Sequence, residues 1–510
     1  MQVRHLSTYD VAPETIAAFR AAIGETLLPM QALAVREGLF QSRDEDRGRN
    51  LLLAAPTSSG KSFVGEMAAI HAAQAGRRAF YLVPLKAMAE EVYRRLTGRY
   101  AGLGLRVAIS TRDHRTFDDA IESGGYHVAV LVYEKLQSML VARPELIDQV
   151  GLVVIDELQL LCDASRGPKL ELLLTKLRRA QRSAVAGAAM QLLCLSAPLA
   201  GLNELGAWLG ARVVCDDRRP VELRAGVLHR GQFTYATLGA LGDGAPPRAA
   251  LGPDASEGPR LFEDIFPDPG PEAARDLQAT LTQAVRALCQ RDEQTLIFFP
   301  DRARTLDAAR HLAEALRGLP AATQAHEDIA ATDEGQAREA LLQTLQSAVA
   351  FHNADLTSGQ RDAVERAFRR GEIRVLCATS TLALGVNLPA KNVILAERWK
   401  WRYSRRYNKW IRDDLTKCEY DGMSGRAGRL GLCDPVRNFG RSLLLAPSRF
   451  DADVWLRTLV DAPVQALEPT LLGKPLGDVI LDLVASALGR DEAEIIDVLL
   501  STFTGHTRWA

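Results

Sequence analysis

The sequence predicts an α/β fold built from two doubly wound lobes and a small helical domain. Three observations support this prediction. Short apolar runs alternate with helical stretches in two separate series, which is typical of parallel strands buried on both faces. A stretch rich in Gly, Pro and Asp separates the two series. After about residue 451 the pattern becomes entirely helical, and 510 residues are more than one hydrophobic core usually serves.

Each lobe is predicted to contain a series of short buried strands. In the first lobe the strands are Asn50–Ala55, Ala79–Pro84, Val128–Tyr133, Gly151–Asp156 and Gln191–Ser196. In the second lobe they are Gln294–Phe299, Ala348–His352, Arg374–Ala378, Asn392–Ala396 and Arg441–Ala446. The expected segments are an N-terminal segment at 1–25, a first lobe at 26–213, a linker or insertion at 214–280, a second lobe at 281–450 and a helical or winged-helix domain at 451–510.

Composition and charge limit the classes of function. Hydrophobic residues make up 47% of the chain and charged residues 25%, as in globular proteins. The net charge of -1 gives no overall attraction to a polyanion, so any nucleic-acid contact must come from local basic stretches or a channel. None of the 7 cysteines forms a Cys-x-x-Cys pair, which disfavours zinc knuckles and disulfide scaffolds. No run approaches about eighteen apolar residues, so we expect a cytoplasmic protein.

A predicted buried strand runs directly into a segment with the spacing of a P-loop, Ala55–Ser62, with alanine in place of the first glycine. Its backbone N–H groups would form a nest for a β-phosphate at a helix N-terminus. Lys61 would neutralise the β- and γ-phosphates, and Ser62 would ligate Mg²⁺. A chance Gly-Lys-Ser is the alternative, which the flanking strand and helix disfavour. The predicted nucleotide-binding residues here are Thr57, Ser58, Ser59, Gly60, Lys61 and Ser62.

Two adjacent carboxylates, Asp156 and Glu157, follow another buried strand of the same series. Ligand sites in open α/β sheets lie at the carboxyl ends of the strands. Asp156 would therefore hold Mg²⁺ through water, and Glu157 would orient and deprotonate the attacking water. Taken alone, such a pair is usually a solvated strand end, but the P-loop favours a catalytic role.

A phosphoryl-transfer site also needs positive charge opposite the γ-phosphate. Arg426 and Arg429, in the glycine-flanked segment 425–429, are predicted to supply it from the second lobe. Each arginine has a simpler interpretation as an ordinary surface charge. If both are catalytic, ATP is hydrolysed only when the two lobes close, so hydrolysis is coupled to a domain motion.

Together these motifs resemble the superfamily 2 helicases, and most closely their Ski-two-like DExH branch. The most specific resemblance is that of Ala378–Ala390 to motif V of the branch. The resemblance implies two RecA-like lobes, ATP and Mg²⁺ as cofactors, and 3′→5′ movement. It implies that Thr381 contacts the nucleic-acid backbone, that Gly385 and Asn387 face the nucleotide, and that Gln31 reads the adenine.

Further short motifs of the branch are present, and some depart from its usual pattern. Segments 83–87, 110–113 and 133–135 resemble strand-contacting motifs. Arg166-Gly167-Pro168 with Glu171 also fits the branch. Motif II, Asp156–Gln159, ends in Gln159 where His is usual. Motif III, Ser196–Pro198, has Pro198 where Thr is usual, which removes one hydroxyl from the relay between ATP and the nucleic-acid strand. The predicted strand contacts from these motifs and from the start of segment 351–356 are Lys86, Arg112, Lys135 and His352.

Segment 422–429 resembles motif VI of the branch. Between motifs V and VI, aromatic and basic residues interleave from Trp399 to Arg412. Stacking faces and phosphate-binding cations are what single-stranded nucleic acid requires. By resemblance to archaeal repair helicases, this segment would be a β-hairpin wedge that splits the duplex. The alternative is a basic solvated loop whose tryptophans pack on the lobe. The predicted contacts here are Trp401, Arg402, Tyr403, Arg405 and Arg406.

The sequence therefore predicts an ATP-dependent helicase or translocase acting on single-stranded or tailed duplex nucleic acid, with DNA favoured over RNA. Two alternatives stay open. One is an ATP-dependent clamp or remodelling subunit that never separates strands, and the other is an RNA helicase. Longer members of the branch carry a ratchet domain after the winged helix. Either a protein partner supplies the missing C-terminal domains, or this protein translocates or remodels without a full unwinding channel.

Overall fold

The computed structural model describes residues 1–40, 50–183, 190–238, 260–380, 382, 388–404, 408–428, 439–485, 489 and 491–509. These residues form two compact units. The first unit contains the described residues of 1–218 together with those of 465–510, and the second contains the described residues of 219–464. Each unit is built around its own β-sheet.

The first unit contains a seven-stranded parallel sheet with the strand order β3-β4-β2-β5-β6-β1-β7. Its strands are β1 (Asn50–Ala54), β2 (Arg78–Val83), β3 (Val107–Ser110), β4 (Val128–Val132), β5 (Val150–Ile155), β6 (Gln191–Ser196) and β7 (Ala211–Cys215). Apart from a few polar residues at their ends, the inner strands are apolar and almost wholly buried, because helices cover both faces of the sheet.

The helices of the first lobe cover this sheet. They are α1 (Pro13–Ile23), α2 (Pro29–Arg36), α3 (Lys61–Gln74), α4 (Lys86–Arg99), α5 (Asp118–Glu122), α6 (Tyr133–Ala142), α7 (Gly167–Ser183) and α8 (Leu202–Leu209). Because β6 pairs with both β1 and β5, the carboxyl ends of these three strands lie side by side. The loops that follow them begin at Ala55, Asp156 and Ala197, so three predicted motifs meet at one edge.

The second unit contains an eight-stranded mixed sheet with the order β10-β9-β8-β17-β14-β11-β13-β12. Its strands are β8 (Glu222–His229), β9 (Gln232–Leu238), β10 (Leu261–Asp264), β11 (Thr295–Phe299), β12 (Val349–His352), β13 (Val375–Thr379), β14 (Asn392–Leu395) and β17 (Phe439–Leu445). Among the described strands of this sheet, β8, β9 and β10 form the antiparallel pairs. Strands β15 (Trp399–Ser404) and β16 (Lys409–Asp414) form a separate antiparallel hairpin.

Helices of the second lobe surround its sheet. They are α9 (Leu277–Gln290), α10 (Arg302–Ala315), α11 (Thr323–Ala330), α12 (Gln336–Leu345), α13 (Ser358–Arg369), α14 (Lys417–Ser424) and α15 (Arg449–Trp455). The amphipathic helix α13 illustrates how local sequence sets these elements. Thr357 caps it by accepting from the N–H of Gln360, while the Gln360 side chain accepts from the N–H of Thr357.

The C-terminal segment contains α16 (Leu476–Ala485) and α17 (Glu492–Ser501), which belong to the first unit. Winged-helix structure is not confirmed here, because the described residues of this segment contain no hairpin and only the isolated bridge between Ala466 and Ala200. None of the described helices has both the length and the apolar composition needed to cross a lipid bilayer.

The predicted α/β class with two RecA-like lobes is confirmed, and every predicted strand is present within one or two residues of its expected bounds. Two strands of the first lobe escaped sequence reasoning because β3 is only 4 residues long and β7 is a half-exposed edge strand. Residues 214–280, expected to be linker or insertion, contribute β8, β9 and β10 to the second sheet. Their polar alternation and the neighbouring Gly- and Pro-rich stretch concealed this role.

Candidate nucleotide site and nucleic-acid surface

The P-loop connects β1 to α3 through two residues in the left-handed region. Ser58 has φ 70° and Gly60 has φ 88°. The backbone angle at Gly60 favours glycine, and a Cβ atom there would lie 2.4 Å from Nε2 of Gln31 and displace that side chain. Successive N–H groups in such a turn point into one concavity, which is the geometry that binds phosphate.

Lys61 begins α3, and its ammonium group is held over the loop. Nζ donates to the carbonyl oxygen of Pro56 at 2.7 Å and to that of Ala55. The Ser58 hydroxyl is buried and has no hydrogen-bond partner among the described residues. A partly buried cation and an unsatisfied hydroxyl around a nest of amides fit a triphosphate, because its oxygens would satisfy all of these groups.

Asp156 follows β5 and is 4% exposed. Its Oδ1 accepts from the backbone N–H of Glu157 at 2.9 Å, and its Oδ2 lies 3.3 Å from the hydroxyl of Tyr81. Burial raises the pKa of Asp156 to about 7, with the charge of Glu157 adding to the shift and that of Lys61 opposing it. A bound cation would favour the ionised form, so the position fits the predicted magnesium ligand.

Glu157 occupies a strained backbone conformation with φ 60°. Non-glycine residues adopt this region at an energetic cost, and such residues cluster at functional sites. Oε2 of Glu157 accepts a hydrogen bond from Nε2 of Gln159, and Oε1 of Gln159 accepts from the N–H of Ala197 at 2.9 Å. The 9% exposed Gln159 therefore joins the predicted catalytic base to motif III. In the sequence Gln159 stands out only as a departure from the usual His.

Gln31, predicted to read the adenine, is 2% exposed. Its Oε1 accepts from the N–H of Leu28 at 2.9 Å, and its Nε2 donates to the carbonyl oxygen of Gly60 at 3.4 Å. The structure therefore places Gln31 against the P-loop, where its amide supports the loop. Base recognition by Gln31 stays a prediction.

Motif VI lies in the second unit, between α14 and β17. Arg426 is 9% exposed, and its carbonyl oxygen accepts from the N–H of Ala390 at 3.1 Å. The buried Arg219, which sequence reasoning missed, donates from Nη2 to the carbonyl oxygen of Ala427 at 3.3 Å. Burial lowers the pKa of Arg219 to about 10, with Asp421 opposing the shift. Arg429 lies outside the described residues.

Motif V is described only in part. Strand β13 ends at Thr379, Ser380 follows it in a turn, and Leu388 begins the return to β14. The three predicted functional residues of this motif, Thr381, Gly385 and Asn387, lie outside the described part of the chain.

The residues of the first lobe that are predicted to contact nucleic acid lie on loops and helix starts that follow the β-strands. Lys86 is half-exposed and forms an ion pair with Asp113. Lys135 pairs with Asp118 at 2.6 Å and is mostly buried. Arg112 is exposed. Of these residues, Lys86 and Arg112 are the more accessible cations.

His352 ends β12 and is 7% exposed. Its Nε2 lies 3.1 Å from Oε1 of Glu365 on α13. The imidazole is therefore held inside the second lobe. To contact nucleic acid, the His352 side chain would have to become exposed and lose this hydrogen bond. The predicted nucleic-acid contact by His352 has no support in this geometry.

The aromatic-basic segment forms the β15–β16 hairpin. Trp401, Tyr403 and Trp410 are 39%, 44% and 64% exposed. The guanidinium of Arg412 lies 4.3 Å from the ring centroid of Trp399, and Tyr403 packs edge-on against Trp410 at 5.6 Å. Arg402 pairs with Asp413 across the strands at 2.5 Å. The predicted contacts Arg405 and Arg406 lie outside the described residues.

Comparison with known protein families agrees with this geometry. Residues 29–205 match the DEAD/DEAH box helicase family, and residues 277–431 match the helicase conserved C-terminal domain. These two ranges contain the P-loop and acidic motif of the first lobe and motifs V and VI of the second. This chain belongs to the superfamily 2 helicases.

The curated relatives of this chain agree with the resemblance of its motifs to the DExH branch of the superfamily 2 helicases. The chain is 34% identical over 482 residues to the ATP-dependent DNA helicase Hel308 of Pyrobaculum calidifontis, covering 93% of this chain and 60% of the relative. It is 32% identical to Hel308 of Caldivirga maquilingensis, with 94% and 58% covered. The chain thus spans about three fifths of the length of these relatives.

Proposed function

We propose that this protein is an ATP-dependent DNA helicase or translocase. The main support for the proposal is that the P-loop and the carboxylates of motif II lie close together in the first lobe. The Tyr81 hydroxyl lies 3.4 Å from the carbonyl oxygen of Ser62 and 3.3 Å from Oδ2 of Asp156, so the two residues predicted to ligate Mg²⁺ both contact one side chain. The relatives named ATP-dependent DNA helicase support the same activity.

The residues of the first lobe have distinct roles in this proposal. Lys61 and the N–H groups of the P-loop bind the phosphates, while Ser62 and Asp156 hold Mg²⁺. Bound Mg²⁺ neutralises charge on the β- and γ-phosphates. Glu157, oriented by its strained backbone and by Gln159, accepts the proton of the attacking water. Arg426 and Arg429 stabilise the charge that develops on the γ-phosphate.

The β15–β16 hairpin is the proposed strand-separating element. Its exposed rings offer stacking faces, and each stacked base contributes about 1–3 kcal/mol to binding. Replacing Trp410 with Ala should reduce strand displacement while leaving basal ATP hydrolysis unchanged. Phe262 on β10, 62% exposed against 64% for Trp410, is the matched control. Equal loss of displacement in Phe262→Ala and Trp410→Ala would contradict a specific role for the hairpin.

Two substrates test the proposal directly. ATP hydrolysis is measured with single-stranded DNA and with RNA of one sequence at one salt concentration, because phosphate contacts are salt-dependent. Strand displacement is then compared on duplexes with a 3′ tail and a 5′ tail. We expect stronger stimulation by DNA and displacement only from the 3′ tail. DNA-stimulated hydrolysis without displacement would select an ATP-dependent clamp, and stronger stimulation by RNA would select an RNA helicase.

Location and partners follow from the proposal. We propose that the protein works in the cytoplasm, where DNA and ATP are both present. A protein partner also stays part of the proposal.

A further inference from the structure

The segment Arg166-Gly167-Pro168 with Glu171 at the start of α7 is not explained by the nucleotide site. Its glycine lies against the C-terminal part of the chain. A Cβ atom at Gly167 would lie 2.3 Å from the carbonyl oxygen of Leu161 and 2.4 Å from Oγ1 of Thr470. Position 167 therefore requires glycine, because Leu161, just after motif II, and Thr470 both pack closely against it.

Glu171, one turn further along α7, contacts the same part of the chain. It is 1% exposed. Oε1 accepts from the backbone N–H of Thr504 at 2.6 Å, and Oε2 accepts from the Thr504 hydroxyl at 3.1 Å. A buried carboxylate that receives two hydrogen bonds from one residue fixes that residue in place. Gly167 and Glu171 thus form a socket for the C-terminal segment.

Residues 465–470, which we call the strap, connect the second lobe to this docked segment. The N–H of Ala200 donates to the carbonyl oxygen of Gln465 at 3.0 Å, and the N–H of Leu467 donates to the carbonyl oxygen of Ala200 at 3.1 Å. The Thr470 hydroxyl donates to the carbonyl oxygen of Leu161 at 3.1 Å. The strap is therefore bonded to residues that lie just after motif II and just after motif III.

A short series of contacts begins at the predicted catalytic base and ends at the strap. Glu157 accepts from Gln159, which accepts from the N–H of Ala197, and Ala200 follows three residues later in the same loop. Val464 is the last residue of the second unit and Gln465 the first of the docked segment. Every contact in this series is made by described residues of the first unit.

We propose that the strap couples the ATP site to the C-terminal segment and that Gln159 is the positioning residue at the start of this coupling. The inference rests on the proposed ATP-driven function. Loss of the hydrogen bond between Glu157 and Gln159 on hydrolysis would release the Ala197–Ala200 loop, and the paired backbone of Gln465 and Leu467 would move with it. The backbone bonds to the strap provide a link that does not need the hydroxyl missing at Pro198.

A backbone substitution in the strap tests the coupling. Leu467→Pro removes the N–H that bonds to Ala200, and the extended Ala466 before it accommodates a following proline. Leu467→Ala keeps the N–H and is the matched control. In full-length protein, we expect Leu467→Pro to reduce stimulation of ATP hydrolysis by single-stranded DNA at least about fivefold, the lower end of typical coupling between sites. Basal hydrolysis should stay at the parent level, and Leu467→Ala should resemble the parent.

The positioning role of Gln159 is tested with a measurement that would not change if Gln159 had a purely structural role. Hydrogen exchange of the peptides that contain Ala200 and Leu467 is measured with and without ATP and Mg²⁺. We expect nucleotide to change exchange at both amides in the parent and in Gln159→His, the residue usual in this branch. In Gln159→Ala the nucleotide-dependent change should be lost, and kcat should fall while KM for ATP stays near the parent value.

The outcomes separate this inference from the proposed function. A parent protein that fails to hydrolyse ATP contradicts the proposed function. An active parent whose Leu467→Pro variant keeps full stimulation overturns the coupling. If Leu467→Pro fails to fold, hydrogen exchange in the parent protein is the test. Equal protection of the Ala200 and Leu467 amides with and without nucleotide would overturn the inference.

Discussion

The hydroxyl group of Tyr81 lies 3.3 Å from Oδ2 of Asp156, within the core of the first lobe. Tyr81 is fully buried in the middle of β2, and burial together with the Asp156 charge raises its pKa well above the usual value. The hydroxyl therefore stays protonated and available as a donor. A neutral donor from the neighbouring strand orients the carboxylate without cancelling the charge that would attract Mg²⁺.

Removing this hydroxyl tests its role in orienting Asp156. In Tyr81→Phe, we expect the Mg²⁺ concentration needed for half-maximal ATP hydrolysis to rise several-fold, because Asp156 loses a buried partner. We expect a loss of about 1–3 kcal/mol in the free energy of unfolding. Titration of hydrolysis with Mg²⁺ at saturating ATP measures the first effect. An unchanged Mg²⁺ titration would show that Tyr81 serves packing alone.

Gly60 offers a test that separates backbone strain from crowding. Gly60 and Gly76 both have positive φ, but a Cβ atom at Gly76 meets nothing within 4 Å. Gly76→Ala should therefore cost only the strain of the left-handed region, about 1–2 kcal/mol. Gly60→Ala should add displacement of Gln31 and weaken binding of a fluorescent ATP analogue at least about tenfold. Equal binding by the two variants would contradict this account of the P-loop.

The buried His71 on α3 predicts a pH-dependent stability. Burial and the charge of Arg77 lower its pKa to about 4, while Asp10 opposes the shift. Because the folded-state pKa lies below the unfolded value of 6.5, this contribution is fully present above pH 6.5 and is lost as the pH falls toward 4. The loss amounts to about 3 kcal/mol at most. Urea unfolding at pH 7 and pH 5 should show a smaller difference for His71→Leu than for the parent.

Glu171→Ala should loosen the C-terminal segment. The buried Thr504 would lose both acceptors, and an unsatisfied buried donor costs about 1–3 kcal/mol. Limited proteolysis should then cleave within residues 465–505 several-fold faster than in the parent. Glu204, on α8 and exposed, is the control carboxylate. Equal cleavage of Glu171→Ala and the parent would argue against the socket.

Local patterns in the sequence predict the sheet cores and the P-loop because these depend on short-range signals. The apolar run before Ala55 and the carboxylates after Ile155 each mark a strand end that the structure confirms. Contacts between distant segments have no such signal. Glu171 meets Thr504 across more than three hundred residues, and Gln159 meets Ala197 only because β5 and β6 are neighbours in the sheet. The same lack of local signal left Arg219 unpredicted.

The most direct test of the central claim is ATP hydrolysis by the parent and by Lys61→Ala, each measured with and without single-stranded DNA. Lys169→Ala, on the exposed side of α7, is the control lysine. We predict DNA-stimulated hydrolysis by the parent and by Lys169→Ala, and a loss of at least about 100-fold in Lys61→Ala. Hydrolysis by Lys61→Ala at the parent rate would contradict the assignment of the P-loop as the ATP site.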